Sequence, residues 1–324
     1  MLCRRKVLRL AASAAALPFL SRAVRAESYP TRPVRIVVGF AAGSTTDILS
    51  RLMSNWLSQR LGQQFIVENR PGAGGNVGAE VVVKANPDGY TILMVPPAVA
   101  ANPALYEHLT FDFIRDTAPV AGVVRVPNVI EVNPSLAVKT LPELIAYAKA
   151  NPGKLSFASA GIGTASHLAG QLFNVMTGAN LTHVPYRGDG PAMVDLIGGQ
   201  VQVGFATMTA SIGHIRAGRL RPLAVTTVRK SDALPDIPSA SEFIPGFEAS
   251  SWFGVSAPKA TPPEVVATLN REINAGLADA TIKSRLADMG GMLLTGSAAD
   301  WGKLIASETE KWGKVIRAAG IKAE

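Results

Sequence analysis

Two stretches of this 324-residue chain carry residue types suited to holding an anion without a formal cation. The first, Gly39-Phe40-Ala41-Ala42-Gly43-Ser44-Thr45-Thr46-Asp47, lies between an apolar β-branched run and a run with helical spacing. The first N–H groups of a helix lack internal partners and sit at the positive end of its macrodipole. Glycine allows close approach of backbone to a ligand, and the hydroxyls of Ser44, Thr45 and Thr46 can add donors. The second, Ser159-Ala160-Gly161-Ile162-Gly163-Thr164-Ala165-Ser166-His167, repeats the order of strand, glycine turn and helix. Neither contains Lys or Arg, so a carboxylate would be held by backbone N–H groups, hydroxyls and water rather than by a bidentate ion pair. Singly, each turn also reads as an ordinary tight α/β connection. Facing each other, they would form a pincer.

The candidate ligand-binding residues are therefore Phe40, Ala41, Ala42, Gly43, Ser44, Thr45 and Asp47 from the first turn, and Ser159, Ala160, Gly161, Gly163, Thr164 and His167 from the second. Arg187 joins them. Phe40 either covers the ligand's carbon chain or packs in a core. Asp47 either meets an amino group or is a first-turn acid stabilised by the helix dipole, with Arg51 one turn later as its ion-pair partner. Arg187 opens the loop Arg187-Gly188-Asp189-Gly190 and offers a cation for a distal carboxylate, the alternative being a solvated charge. His167 stands at a helix start, where it binds or caps.

Other chemistries fail on spacing. Gly39 to Ser44 lacks the P-loop lysine, and Gly161-Ile162-Gly163 reaches Ser166 where a dinucleotide fingerprint wants Gly or Ala. Gly72-Ala73-Gly74 fails in the same way at Val77. His108, His167, His183 and His214 have no metal-type spacing, and no serine sits in a Gly-x-Ser-x-Gly arrangement. No catalytic residue, cofactor or metal is assigned.

The elements that must position these turns alternate. Val34 to Val38 precedes a helical pattern from Asp47 to Leu61, then Phe65 to Glu68, Val77 to Lys84 and Thr91 to Val95. In the first helix Ile48, Leu49, Leu52, Met53, Trp56 and Leu57 recur at helical spacing and predict one face packed on a sheet. The middle third repeats the theme with Leu141 to Ala150 helical, Leu155 to Ala158 a strand, Ser166 to Met176 helical, then strands at Leu181 to Val184 and Val201 to Ala206. After a proline-rich stretch, Phe253 to Ser256 reads as a strand and three helices follow. This alternation predicts an α/β fold. The expected organisation is one lobe from 27–124 plus 249–324, with a second lobe, 125–248, inserted. Two crossings between them would make a hinge.

Composition bounds the partners. Hydrophobic residues make up 48% and charged residues 17%, which excludes a disordered chain. Of 32 basic side chains, six fall in the first 26 residues, which hold no acid; the remaining 298 residues carry 26 bases against 24 acids, a net +2. A near-balanced chain lacks the basic stripe of a nucleic-acid binder. Residues 4 to 9 are basic, Leu10 to Leu20 apolar, and Val24-Arg25-Ala26 suits cleavage: a secretory leader cut near Ala26. Cys3-Arg4-Arg5-Lys6-Val7-Leu8-Arg9 fits twin-arginine export, with the general secretory route as the alternative. Cys3 is the only cysteine, so the mature chain would carry no thiol, in keeping with an oxidising periplasm.

The ordered series Tyr29-Pro30-Thr31-Arg32-Pro33-Val34-Arg35-Ile36-Val37-Val38, Gly39 to Asp47 followed by Arg51, Glu68-Asn69-Arg70-Pro71-Gly72-Ala73-Gly74-Gly75, Pro87-Asp88-Gly89-Tyr90-Thr91, Ser159 to His167, His183-Val184-Pro185-Tyr186-Arg187-Gly188, Trp252-Phe253-Gly254 and Ala257-Pro258 resembles the Bug-type periplasmic receptors of tripartite tricarboxylate transporters. The resemblance spans nearly the whole mature chain. It implies a two-lobed periplasmic binding protein of type II-like fold with an inter-lobe cleft and no catalysis. Such a protein is a monomer that binds a small mono- or dicarboxylate between the two glycine turns and delivers it to integral-membrane subunits. Alternatives are presentation of the loaded protein to a membrane sensor, and a periplasmic enzyme acting on a carboxylate. Several positions depart from the commoner family pattern: Ser44 and Thr45 replace frequent glycines, Gln171 a Glu, Gln202 an Asp and Arg187 a Lys.

Overall fold

A computed structural model describes residues 29–322, so the leader and cleavage site expected in 1–26 lie outside the described residues. Three parallel strands, β1 (Val34–Val38), β2 (Phe65–Asn69) and β3 (Thr91–Val95), begin a mixed sheet. They are joined by α1 (Thr45–Leu61), by a 3-10 turn at Ala73–Gly75 and by α2 (Asn76–Val83). Leu49, Met53 and Leu57 of α1 are fully buried against β1 and β3, the packed face that the helical spacing predicts. Past β3 come α3 (Ala98–Leu105), the single turn α4 (Phe113–Asp116) and the long strand β4 (Thr117–Val132).

β4 is common to both halves of the molecule. Its stretch from Thr117 to Pro127 pairs antiparallel with β9 (Ser250–Pro258), which in turn pairs with β3. From Asn128 to Val132 it pairs instead with β7 (Val203–Thr207), and from Val129 with β8 (Arg221–Val225). Parallel strands β5 (Ser156–Ser159) and β6 (Thr182–Pro185) complete the second half, giving the strand order β2-β1-β3-β9-β4-β7-β5-β6. Helices α5 (Leu141–Ala150), α6 (Ala165–Thr177), α7 (Asp189–Ile197) and α8 (Met208–Arg216) surround this second half.

The chain returns through β9 to α9 (Pro263–Ala278), α10 (Ala280–Asp288), the short β10 (Met292–Leu293) and the final helix α11 (Ala298–Ala319). This last helix is not confined to one half. Trp301 and Ile305 pack with Leu93 and Trp252, whereas Trp312 and Ile316 join the cluster of Phe157, Phe173 and Phe205 in the other half. No helix among the described residues is long and apolar enough to cross a membrane.

Candidate functional site

The two glycine turns adopt the same local structure. Ser44 and Thr164 cap their helices with φ −70° and ψ 159° in one, φ −70° and ψ 160° in the other. Each hydroxyl accepts the N–H of the third helical residue, Asp47 at 3.3 Å and His167 at 3.4 Å. Gly43 and Gly163 both sit at φ +79°, a conformation that glycine adopts without strain. That third residue in turn accepts the glycine's N–H: Gly43 donates to Asp47 Oδ2 at 3.0 Å, and Gly163 to His167 Nδ1 at 3.1 Å. With the third N–H engaged, the N–H groups of the first two helical residues remain without intrahelical partners: Thr45 and Thr46 in one turn, Ala165 and Ser166 in the other.

Asp47 and His167 are therefore built into their own turns. Asp47 also takes Arg51 through both carboxylate oxygens at 2.9 Å, and Asn69 Nδ2 at 3.0 Å. Burial would raise its pKa, but the hydrogen bonds from Arg51, Gly43 and Asn69 outweigh it and hold the carboxyl below the usual range. His167 stacks on His183 with ring centroids 4.1 Å apart, and His183 Nε2 meets Ser159 Oγ at 2.6 Å. Burial pushes His167 down to about 3, helped by His183, and pushes His183 down to about 4. Both rings are neutral at neutral pH, which the acceptor role of His167 Nδ1 requires.

Between the turns lies a small cavity, lined by Phe40, Ser44 and Thr46 from the first turn and by Ala160, Thr164, Ala165 and Ser166 from the second. Three further helices begin at its wall: α3 at Ala98, α7 at Asp189, and α8, whose N-cap is Thr207. Ser251 and Phe253 of β9 complete it, and no Lys or Arg among the described residues lines it. Five positive helix ends facing one hollow without a side-chain cation suit a small anion.

The expected residues distribute unevenly around this cavity. Phe40, Ser44, Ala160 and Thr164 line it, and Phe40 is at the same time part of the first core cluster. Ala41, Ala42 and Gly43 instead meet the opposite half: the Ala41 N–H donates to the Arg187 carbonyl at 3.0 Å. A Cβ on Gly190 would lie 3.4 Å from the Ala42 carbonyl oxygen. Thr45 reaches Asp189 and Thr207 across the cleft. Ser159 and Gly161 shape the second turn, with the Gly161 carbonyl accepting the Thr164 hydroxyl at 2.6 Å. Arg187 is exposed and lines a neighbouring hollow with Gly72 to Gly75, Gly161 and Ile162, not the cavity between the turns.

Thr46, whose hydroxyl the first turn offers as a donor, lines the cavity; Pro96, Asp189, Thr207 and Ser251 line it too but were not among the candidates. Pro96 follows β3 and Thr207 ends β7, so both stand where parallel α/β sheets place ligands, off the carboxyl ends of strands. Extending each predicted strand by one residue would have found these two. Asp189 is buried: its Oδ2 accepts the Thr45 N–H at 3.4 Å and hydroxyl at 3.0 Å, and the Thr207 hydroxyl at 3.4 Å. Burial raises its pKa against those hydrogen bonds.

The family model of the tripartite tricarboxylate transporter family receptor matches residues 49–321. Protein BugT of Bordetella pertussis is 38% identical over 302 residues, covering 92% of this chain and 93% of that one. Among solved structures, R. palustris Rpa4515 with adipate superposes with a TM-score of 0.89 at 38% identity, covering 91% of this chain and all of that one. MatC from Rhodopseudomonas palustris with bound malate superposes at 0.85 and 30% identity, covering 89% and 100%. The fold is that of a periplasmic binding protein, and the chain belongs to the solute-binding receptors of tripartite tricarboxylate transporters, a family of transport receptors rather than enzymes.

Proposed function

We propose that this chain captures a small mono- or dicarboxylate between the first turns of α1 and α6 and delivers it, in the periplasm, to the integral-membrane subunits of a tripartite tricarboxylate-type transporter. One observation carries the reading: two turns of matching geometry, one from each half, bring the first-turn backbone of Thr46 on one side and of Ala165 and Ser166 on the other to a single cavity that no Lys or Arg among the described residues lines. A carboxylate there gains charge-assisted hydrogen bonds from both sides at once, so it favours the closed arrangement of the halves. The adipate and malate in the two R. palustris relatives support an organic acid as the ligand class. Ser44 and the backbone around Thr46 and Ser166 are the proposed carboxylate contacts, Thr164 holds the second turn in shape through the Gly161 carbonyl, and Phe40 covers the carbon chain.

The lobes are 27–124 with 249–324, and 125–248. They move about the two crossings, near Val126 to Asn128 and ahead of Ser250, where β4 exchanges one set of partners for another. Export with cleavage near Ala26 completes the proposal. Calorimetric titration of the ligand-stripped protein with a panel of organic acids tests it. Saturable heat and a raised Tm are expected for at least one small acid. Silence across mono-, di- and tricarboxylates would refute it.

A further inference from the structure

Resting on that reading, we infer that Asp189 selects the ligand: the acid bound here carries an amino group beside its carboxylate, and Asp189 receives it. Asp189 is the first residue of α7 and lines the cavity opposite the start of α1. Its side chain is buried and all three of its hydrogen bonds fall on Oδ2, from two Thr45 groups and one Thr207 hydroxyl. Among the described residues Oδ1 receives none.

A buried carboxylate is ordinarily paired with a cation, and this one has no such partner among the described residues. No Lys or Arg among the described residues lines the cavity, and the charge of Asp189 is felt by another acid, Glu131, itself fully buried on β4. No cluster of three or more His, Cys, Asp or Glu among the described residues could hold a metal ion in its place. Glu131 holds its proton at neutral pH, so a plain dicarboxylate would set a second negative group beside Asp189 with no cation between them. A zwitterion balances the site instead, its carboxylate at the helix starts and its ammonium on Asp189. A hydroxyl could donate one hydrogen bond but would leave the charge uncompensated. The role of ammonium acceptor, which the sequence offers to Asp47, thus passes to Asp189, because Asp47 is already held by Arg51 and Asn69.

The test compares matched acids by calorimetry on the ligand-stripped full chain: L-aspartate, L-malate and succinate, and L-alanine, lactate and propionate. In the better-binding series the amino acid should bind at least tenfold more tightly than its hydroxy and unsubstituted counterparts. Asp189→Asn should weaken the amino acid about 10- to 100-fold more than it weakens the unsubstituted acid. Asp189→Ser, which retains a small capping side chain, should do the same, so a folding defect in one variant leaves the other to decide. Preference for the hydroxy or unsubstituted acid in the wild-type protein, or an amino-acid affinity unmoved in both variants, would overturn the inference while leaving carboxylate capture intact. Absence of binding by every acid in the panel would instead refute the capture reading itself.

Discussion

The imidazoles of His167 and His183 stack within 21° of parallel at a centroid distance of 4.1 Å, and each ring fixes a different part of the second glycine turn. His167 Nδ1 accepts the Gly163 N–H, and His183 Nε2 meets the Ser159 hydroxyl. Protonating His167 would remove the acceptor, and protonating both would set two cations face to face.

Because burial depresses both pKa values, to about 3 and about 4, the unfolded chain binds protons first as the pH falls. The contribution of the pair to stability is therefore complete above the unfolded value of about 6.5 and is lost progressively as the pH falls towards 4 and 3. NMR should show two imidazoles that do not titrate between pH 8 and 5. Titration of the His167 and His183 rings themselves near 6.5 would contradict the stacked, neutral arrangement.

Glu131 has the opposite sign. Burial, reinforced by the charge of Asp189 and opposed by the Ser211 hydroxyl, raises its pKa to about 8. The folded state then holds a proton that the unfolded state releases near the ordinary carboxylate pKa, so stability is lost as the pH rises from about 4.5 to about 8. Glu131→Gln should abolish that loss, with its largest advantage over wild type at pH 8 and above in chemical denaturation. Parallel pH profiles for the two proteins would show that Glu131 does not bind the extra proton.

Gly74 and Ile162 meet across the cleft. A methyl group on Gly74 would lie 2.4 Å from the Ile162 carbonyl oxygen, at a backbone φ of +60°. Gly62 has a similar φ of +70° with open space around it. Both Gly→Ala changes should cost about 1 kcal/mol of stability from backbone strain. Only Gly74→Ala should hinder closure as well, weakening ligand affinity about tenfold or more in calorimetry. Equal affinities for the two variants would show that the halves do not approach at this point.

Asp47 should behave as a structural residue. Asp47→Ala leaves the Gly43 N–H, Asn69 and Arg51 without their common acceptor and should cost about 2–4 kcal/mol in denaturation. Arg51→Ala should cost well under half as much, because that side chain is 55% exposed. A destabilisation of Asp47→Ala below 1 kcal/mol would point to a free carboxylate instead.

Local patterns carried a large part of this structure. The expected run Asp47 to Leu61 and the observed Thr45–Leu61 differ only at the start, and Leu141 to Ala150 coincides with α5. The strand at the centre was hidden. β4 contains Pro119, Gly122 and Pro127, residues that ordinarily argue against an interior strand. The first two flank shifts of register, so bulges absorb them, and Pro127 stands at the end of the β9 pairing, just before β7 takes over at Asn128. The site was legible in the same proportion. Each turn has its own sequence signal, but the pairing of Thr45 with Asp189 joins residues 144 positions apart, and no local pattern encodes it.

The central claim is that backbone N–H groups of two opposed helix starts hold the carboxylate. A crystal structure of the protein with its tightest-binding acid tests it most directly. The account predicts carboxylate oxygens within about 3.2 Å of the N–H of Thr46 on one side and of Ala165 or Ser166 on the other. An acid seated away from these turns, or held by the Arg187 guanidinium alone, would contradict it.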